Sequence, residues 1–377
     1  MNTNTEISII TDTHQGIKND AGFMLDYQEK FYSEAFFPKL KEKQVEHLFH
    51  LGDLFDRRKY INFMTLARTR KMFLDKLKEN GIKMYIIPGN HDIFFKSSNE
   101  INSLSTLLNE YILNGSVEVI ESPKIITIYG QEYAFIPWIN NENYAEYMSF
   151  ITSIRNKKDV ILCGHFEIAG FEMYAGTKAD HGMDAAMFSE FKHVWSGHFH
   201  HKSTVNNISY LGAPMEFTFA DCDDPRGFHF YKAETNDLTF IRNGFTLYEK
   251  VYYNDETEEG QEYFRNLDIQ KTFSGKIVKL YVVKKTKSAI FESFVDKLFT
   301  EGNLINLSII EDYSEFHESF VQDDIVEATT TTKDLIEKYI DYIETPMDKA
   351  RLKSLLTTLY IEAENYKDTI AANKASD

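Results

Sequence analysis

The chain has 377 residues and a formal charge of −17, with 43% hydrophobic and 14% aromatic residues. That composition supplies a real core and excludes disorder as the default, and the length predicts two domains plus a tail. The acidity excludes nucleic-acid binding through the whole surface and leaves three readings: no nucleic acid, a local basic patch, or metal ions and a partner that bring positive charge.

Cys163 and Cys222 are the only cysteines, so no disulfide framework is expected. Met1–Glu6 carries neither a basic nor an apolar leader region, and no apolar run approaches the roughly 18 residues of a membrane span. The expectation is a reduced, soluble, cytoplasmic protein with no membrane segment.

In chain order, Ile7–Ile10 reads as a buried strand that ends in Thr11-Asp12-Thr13-His14. Leu25–Lys43 reads as an amphipathic helix whose last turn Pro38 puts in doubt. Strand Val45–Leu51 runs into Gly52-Asp53-Leu54-Phe55-Asp56. Helix Asn62–Asn80, with Phe63, Leu66, Ala67, Phe73 and Leu77 on its apolar side, stops at Gly81. Strand Lys83–Ile87 ends in Pro88-Gly89-Asn90-His91-Asp92. This β-α-β-α-β alternation predicts a layered α/β core.

Asn99–Leu113 reads as a further helix, followed by short strands Val117–Ile120, Ile125–Tyr129 and Tyr133–Pro137 and a helix over Tyr144–Asn156. Two strands then finish in histidine, at Gly164-His165 and at Gly197-His198-Phe199-His200. Strands near Thr204–Tyr210, Gly227–Tyr231 and Leu238–Ile241 predict a second, antiparallel-leaning sheet that closes a two-sheet sandwich with helices outside.

The pattern changes near Leu247. Asp255-Glu256-Thr257-Glu258-Glu259-Gly260 reads as an acidic, exposed connector. A compact β-α-β piece follows, with strand Lys276–Val283, helix Ala289–Phe299 and strand Leu304–Ile310. Thr329–Thr332 reads as a linker. Lys333–Ile343 and Pro346–Tyr366 read as a helical hairpin with a stripe at Leu352, Leu355, Leu356 and Leu359. The predicted domains are therefore 1–246, 247–328 and 329–377.

Asp12, His14, Asp53, Asn90, His165, His198 and His200 all stand at or just past predicted strand ends. Singly, each has an ordinary explanation as a turn former, a helix cap, a satisfied half-buried histidine or a surface alternation. Together they form a mixed carboxylate, amide and imidazole set that suits Mn²⁺, Fe²⁺ or Zn²⁺. Seven donors are too many for one tetrahedral ion, whereas two ions sharing a carboxylate would use them all.

Asp12-x-His14, Gly52-Asp53-x-x-Asp56, Gly89-Asn90-His91-Asp92, Gly164-His165 and Gly197-His198-x-His200, in that order, resemble the signature of the calcineurin-like metallophosphoesterases. The resemblance implies two Mn²⁺ ions, with Mg²⁺ or Fe²⁺ as substitutes. Asp12, His14, Asp53 and His200 would hold one, and Asp53, Asn90, His165 and His198 the other. It implies His91 as general acid, Asp56 as the group that orients it, and Asp92 as second choice for that role.

Within the family, Gly52–Asp56, Ser196–His200 and Tyr210–Glu216 together resemble the nuclease subunits of SbcCD-type double-strand-break-repair complexes, and Asp223–Phe228 looks closest to the phage recombination endonuclease subunit. The implied activity is a Mn-dependent DNA exonuclease and endonuclease, in the host cytoplasm if phage-encoded. The implied partners are DNA, an SMC-like coiled-coil ATPase docked on the leucine stripe, and a second copy held through helices Asn62–Asn80 and Asn99–Leu113. Arg57, Arg58 and Lys59 beside the site, and Lys284, Lys285 and Lys287 in the capping domain, are candidate phosphate contacts. Arg57-Arg58 also resembles the Asp-Arg-Gly of protein phosphatases, which keeps a phosphoprotein or small-molecule phosphodiesterase as an alternative. A non-catalytic scaffold is a third reading.

Overall fold

The computed structural model describes residues 5–311, 349, 351–353 and 355–356. The chain divides into two units, residues 1–217 with 221–311, and residues 218–220 with 312–377.

The first unit is built on two six-stranded sheets. One has the order Asp237–Arg242, Gly227–Lys232, Glu6–Ile10, His47–His50, Lys83–Ile86, Val117–Val119. Its last four strands are parallel and its first two antiparallel. The other has the order Ser203–Val205, Ile208–Tyr210, His193–Ser196, Val160–Gly164, Gln131–Ile136, Lys124–Ile128, with four parallel strands at its centre.

Strand alternation decides the layers. Ile7, Ile9, Phe49 and Tyr85 of the first sheet pack against Tyr133, Phe135, Ile161, Cys163 and Trp195 of the second. The intervening residues Ala134, Ile136, Leu162 and Val194 face the opposite way and pack beneath Tyr147, Ile151 and Phe188. Strands buried on both faces read as continuous apolar runs, which is why the sequence pattern located them. The α/β architecture is as expected.

The helices differ more. The segment expected as helix Leu25–Lys43 runs from Gly22 to Glu42, with a π-helical stretch at Phe31–Phe36 just ahead of Pro38. The wider turn there gives the proline room, so the helix continues through it. A second π-helical stretch, Arg70–Leu74, interrupts the helix capped by Asn62. The extra residue in that turn rotates the buried face, so Phe73 and Leu77 are buried while Phe63 stands 89% exposed. The expected helix Asn99–Leu113 is instead a strand, Ser98–Asn102, and two short helices, Ser103–Leu107 and Asn109–Leu113. Asn102 ends the strand by accepting the Ser105 amide at 2.9 Å.

Residues 248–310 form a three-stranded parallel sheet of Tyr248–Asn254, Ile277–Lys284 and Asn306–Ile310, whose own core includes Tyr253, Phe264, Leu280, Phe291 and Phe294. The strand Tyr248–Asn254 was not expected. Nor is the acidic stretch a simple exposed connector: Asp255 is fully buried and accepts the Lys287 amide at 2.9 Å and the Tyr253 hydroxyl at 3.0 Å. Glu258 and Glu259 open the helix Glu258–Asn266, where carboxylates complement the helix dipole.

In the second unit, Lys349, Arg351–Lys353, Leu355 and Leu356 are helical; Leu355 is exposed and Leu352 and Leu356 half-buried. Leu359, the Thr329–Thr332 linker and the expected helix Lys333–Ile343 lie outside the described residues. Among the described residues no helix is long and apolar enough to cross a membrane.

Candidate metal centre

Asp12 and His14 follow the strand Glu6–Ile10, Asp53 follows His47–His50, and Asn90 follows Lys83–Ile86. His165 follows Val160–Gly164, and His198 and His200 follow His193–Ser196. Within each sheet these strands are parallel, so their carboxyl ends share one edge.

Four of the seven donors stand in the left-handed backbone region: Asp12 at φ 50°, His14 at 42°, Asp53 at 56° and His198 at 86°. Such a conformation costs about 1–3 kcal/mol per non-glycine residue and persists only where its surroundings enforce it. Here the amides of Asp12, His14 and Gln15 donate to the carbonyls of Gly52, Asp53 and Leu54 at 3.0, 3.1 and 2.8 Å. Gly52 is required where the loops touch: its φ is +96°, and a Cβ would lie 2.6 Å from His165 Nδ1.

The seven side chains converge. His165 Nε2 lies 3.2 Å from Asp53 Oδ2 and 3.0 Å from Asn90 Oδ1, and His198 Nδ1 lies 2.9 Å from the same Asn90 oxygen. On the other side, His14 Nε2 lies 3.0 Å from His200 Nε2 and 3.8 Å from Asp53 Oδ2. Donor atoms of Asp12, His14 and His200 form one compact cluster and those of Asp53, His165 and His198 another. Asp53 also shares a third cluster with His14 and His91.

The chemistry of this set fits divalent cations. His165 Nδ1 sits 2.7 Å from the Leu51 carbonyl and donates to it, which aims Nε2 at two acceptor oxygens. Without a cation between them, that arrangement holds only if the ring is protonated. Burial opposes the charge on His165, but Asp53 and Asp12 outweigh it and raise its pKa to about 9. His14 is likewise opposed by burial and raised to about 9 by Asp56, Asp53 and Asp12. Burial and the neighbouring histidines lower His198 to about 3 and push His200 well down. Each side of Asp53 thus pairs an imidazole whose pKa is raised with one whose pKa is lowered. Burial raises Asp12, whereas Asp53 is held well below the usual carboxylate range, because His165, His91 and His14 overcome its desolvation.

His91, half-buried, donates its backbone amide to Asp53 Oδ1 at 2.8 Å, and its Nδ1 lies 2.5 Å from the Asp56 carbonyl oxygen. The residue that orients the ring is therefore Asp56, but through its main chain. The Asp56 carboxylate turns away, and its Oδ1 lies 3.3 Å from His14 Nδ1. Asp92 is engaged by main-chain amides. Its buried carboxylate accepts the amides of Asp53, Leu54, Phe55 and Gly89 at 2.8, 3.3, 3.2 and 3.0 Å, clamping two donor loops together.

The basic candidates are dispersed. Arg57 is engaged by Asp20 at 3.0 Å and Asn19 at 2.6 Å, Arg58 is half-buried, and Lys59 is exposed. In the three-stranded sheet region Lys284 is exposed, Lys285 lies 3.6 Å from Glu311, and Lys287 donates to Gln261 at 2.7 Å.

Three residues around the centre escaped the sequence reading. The Trp138 ring lies 5.8 and 5.1 Å from those of His165 and His198, and Phe217 lies 5.6 Å from both His14 and His200. Arg226 donates to the His200 carbonyl and to Asp221 and Asp224, fixing the last donor loop. Arg226 stands inside the Asp223–Phe228 block, but no spacing rule ties it to His200.

Side chains that could hold a metal ion thus converge from two sheets, and residues 5–202 match the family described as Calcineurin-like phosphoesterase. The chain belongs to that family. It is 30% identical over 356 residues to Exonuclease subunit 1 of Enterobacteria phage T4, covering 93% of this chain and 97% of that one. It is 24% identical over 251 residues to a nuclease subunit of SbcCD from Staphylococcus epidermidis, covering 58% and 65%. It is also 29% identical over 206 residues to the DNA double-strand break repair protein Mre11 of Sulfurisphaera tokodaii, covering 52% and 49%.

Proposed function

We propose that this protein is a DNA nuclease subunit that hydrolyses phosphodiester bonds with two divalent ions, Mn²⁺ foremost, sharing Asp53. The observation that carries the reading is the pair of donor clusters on either side of that carboxylate. The similarity to a phage exonuclease subunit along nearly the whole chain, and to a DNA double-strand break repair protein over half of it, supports DNA as the substrate. Asp12, His14 and His200 would hold one ion; Asn90, His165 and His198 the other.

When bound, such ions supply Lewis-acid activation of the nucleophile and neutralise developing phosphoryl charge. The chain's own residues do the rest. Nδ1–H of His91 donates to the Asp56 carbonyl, so the ring gives up or takes its proton at Nε2, where it serves the departing oxygen. Asp92 holds the loops of Asp53 and Asn90 in register. Left-handed backbone at four donors keeps their side chains aimed before substrate arrives.

We further propose that residues 247–328 act as a capping domain, with Lys284, Lys285 and Lys287 available to DNA phosphates beside Arg57, Arg58 and Lys59. Residues 329–377 would dock an SMC-like ATPase through Leu352, Leu355, Leu356 and Leu359. A homodimer is supported by exposed apolar residues on and near the expected helices, where Phe63 is 89%, Met64 62% and Leu113 80% exposed.

The assay offers labelled duplex DNA, a phosphopeptide and a small aryl phosphodiester side by side with Mn²⁺. Degradation of the DNA is expected. Turnover of the phosphopeptide without DNA loss would replace this reading with the phosphatase alternative, and no turnover of any substrate would leave a scaffold.

A further inference from the structure

Beside the metal centre, a cleft of about 430 Å³ opens directly onto His165. That size falls within the roughly 300–1,000 Å³ of small-molecule sites. Trp138, Tyr144, Met183 and Met187 are among the residues that line it. Trp138 is a fixed platform: its amide donates to the Pro88 carbonyl at 2.9 Å, and its own carbonyl accepts Asn99 and Asn143 at 2.8 and 3.0 Å. Tyr144 is 47% exposed and Met187 39%, so the outer walls present apolar surface to solvent.

The charge of the cleft decides what it can take. Among the described residues lining it there is no lysine or arginine, while Glu167 and Asp184 are part of the lining. A phosphate chain would be repelled. An uncharged, flat, polarisable group is favoured, because aromatic faces and thioethers both make good stacking surfaces. Asn141, exposed in the same wall, adds an amide that can both donate and accept.

We propose that this cleft is a nucleobase subsite. Resting on the nuclease reading, it holds the base of the nucleotide whose phosphate lies at the metal centre, between Trp138 and Tyr144. The subsite would then set which phosphodiester is placed at the metals, by anchoring the nucleoside next to it. Stacking on aromatic side chains is tolerant of base identity, so little sequence preference follows.

The test uses the full chain loaded with Mn²⁺ and two duplexes, identical except that one carries abasic tetrahydrofuran residues at both ends of each strand. Wild type should show a KM about tenfold higher on the abasic duplex, within the range measured for base stacking. Tyr144→Ala, a change at an exposed position, should raise KM on the intact duplex by a similar factor and leave it unchanged on the abasic one. A second readout needs no turnover. Trp195 is buried, so deoxyadenosine monophosphate should quench emission from Trp138 alone, and Trp138→Phe should abolish the quenching. Equal KM values for the two duplexes in wild type, or absence of quenching, would overturn the subsite. Failure to cleave either duplex would instead overturn the nuclease reading, and the quenching would then decide the subsite by itself.

Discussion

Asp56 meets two histidines, His91 through its main chain and His14 through its carboxylate. Gly52-Asp53-x-x-Asp56 places two carboxylates at one strand end, and both reach the centre. The turn after Asp53, however, delivers the Asp56 carbonyl to His91 and its carboxylate to His14. A carboxylate on the far nitrogen of a metal-ligating histidine fixes its tautomer and strengthens it as a ligand. Asp56→Asn should therefore weaken metal binding by about 10–100-fold, whereas His91→Ala should retain metal and lose about 100-fold or more in kcat. Metal titration and single-turnover rates on both variants separate the roles; unchanged metal affinity in Asp56→Asn would return that carboxylate to the acid.

The protons on His14 and His165 carry a pH signature. Both are raised from 6.5 to about 9 in the metal-free protein, so each stabilises the fold fully below pH 6.5 and loses that contribution as pH rises through 9. Thermal melts of metal-free protein should show Tm falling between pH 7 and 9. Metal affinity should rise over the same interval, because binding displaces those protons. A metal-free Tm that is flat or climbs across that window contradicts the assignment.

At the scale of elements, the centre depends on loops held in strained shapes at the ends of well-buried strands. Asp92 is the main clamp, accepting four amides from two loops while burial and the charge of Asp53 raise its pKa to about 7. Asp92→Ala leaves those amides without their acceptor and should cost about 2 kcal/mol or more of stability, measured by denaturant titration. A loss within about 0.5 kcal/mol, the range of an ordinary surface change, would mean that the clamp is not needed.

The strands were legible because burial on both faces writes an uninterrupted apolar run, and the donors because each follows such a run. The helices were only half legible. Phe63 falls on the same broad apolar side as Phe73 and Leu77 on an ideal helix, but the π-helical stretch at Arg70–Leu74 rotates that side, and no residue in it announces the shift. Tyr248–Asn254 sets Glu249 and Lys250 side by side and then Val251, Tyr252 and Tyr253, so it shows no polar–apolar alternation to mark a strand. Trp138 and Arg226 meet the centre only through folding, from segments far away in sequence.

For the whole molecule, the charge of −17 and the proposed activity on DNA are reconciled if positive charge arrives with the ions and with a partner. The docking proposal predicts that a chain lacking residues 333–377 keeps its nuclease activity but no longer co-purifies with its ATPase. Undiminished complex formation would remove the leucine stripe from the account.

Asp53 joins these scales, since one buried carboxylate touches both halves of the donor set. Counting bound Mn²⁺ per chain by calorimetry, in wild type and in Asp53→Asn, tests that claim most directly. Two ions per wild-type chain and loss of binding at both sites in the variant are predicted. A single ion in wild type, or a variant that still holds both, would contradict a centre organised around one shared carboxylate.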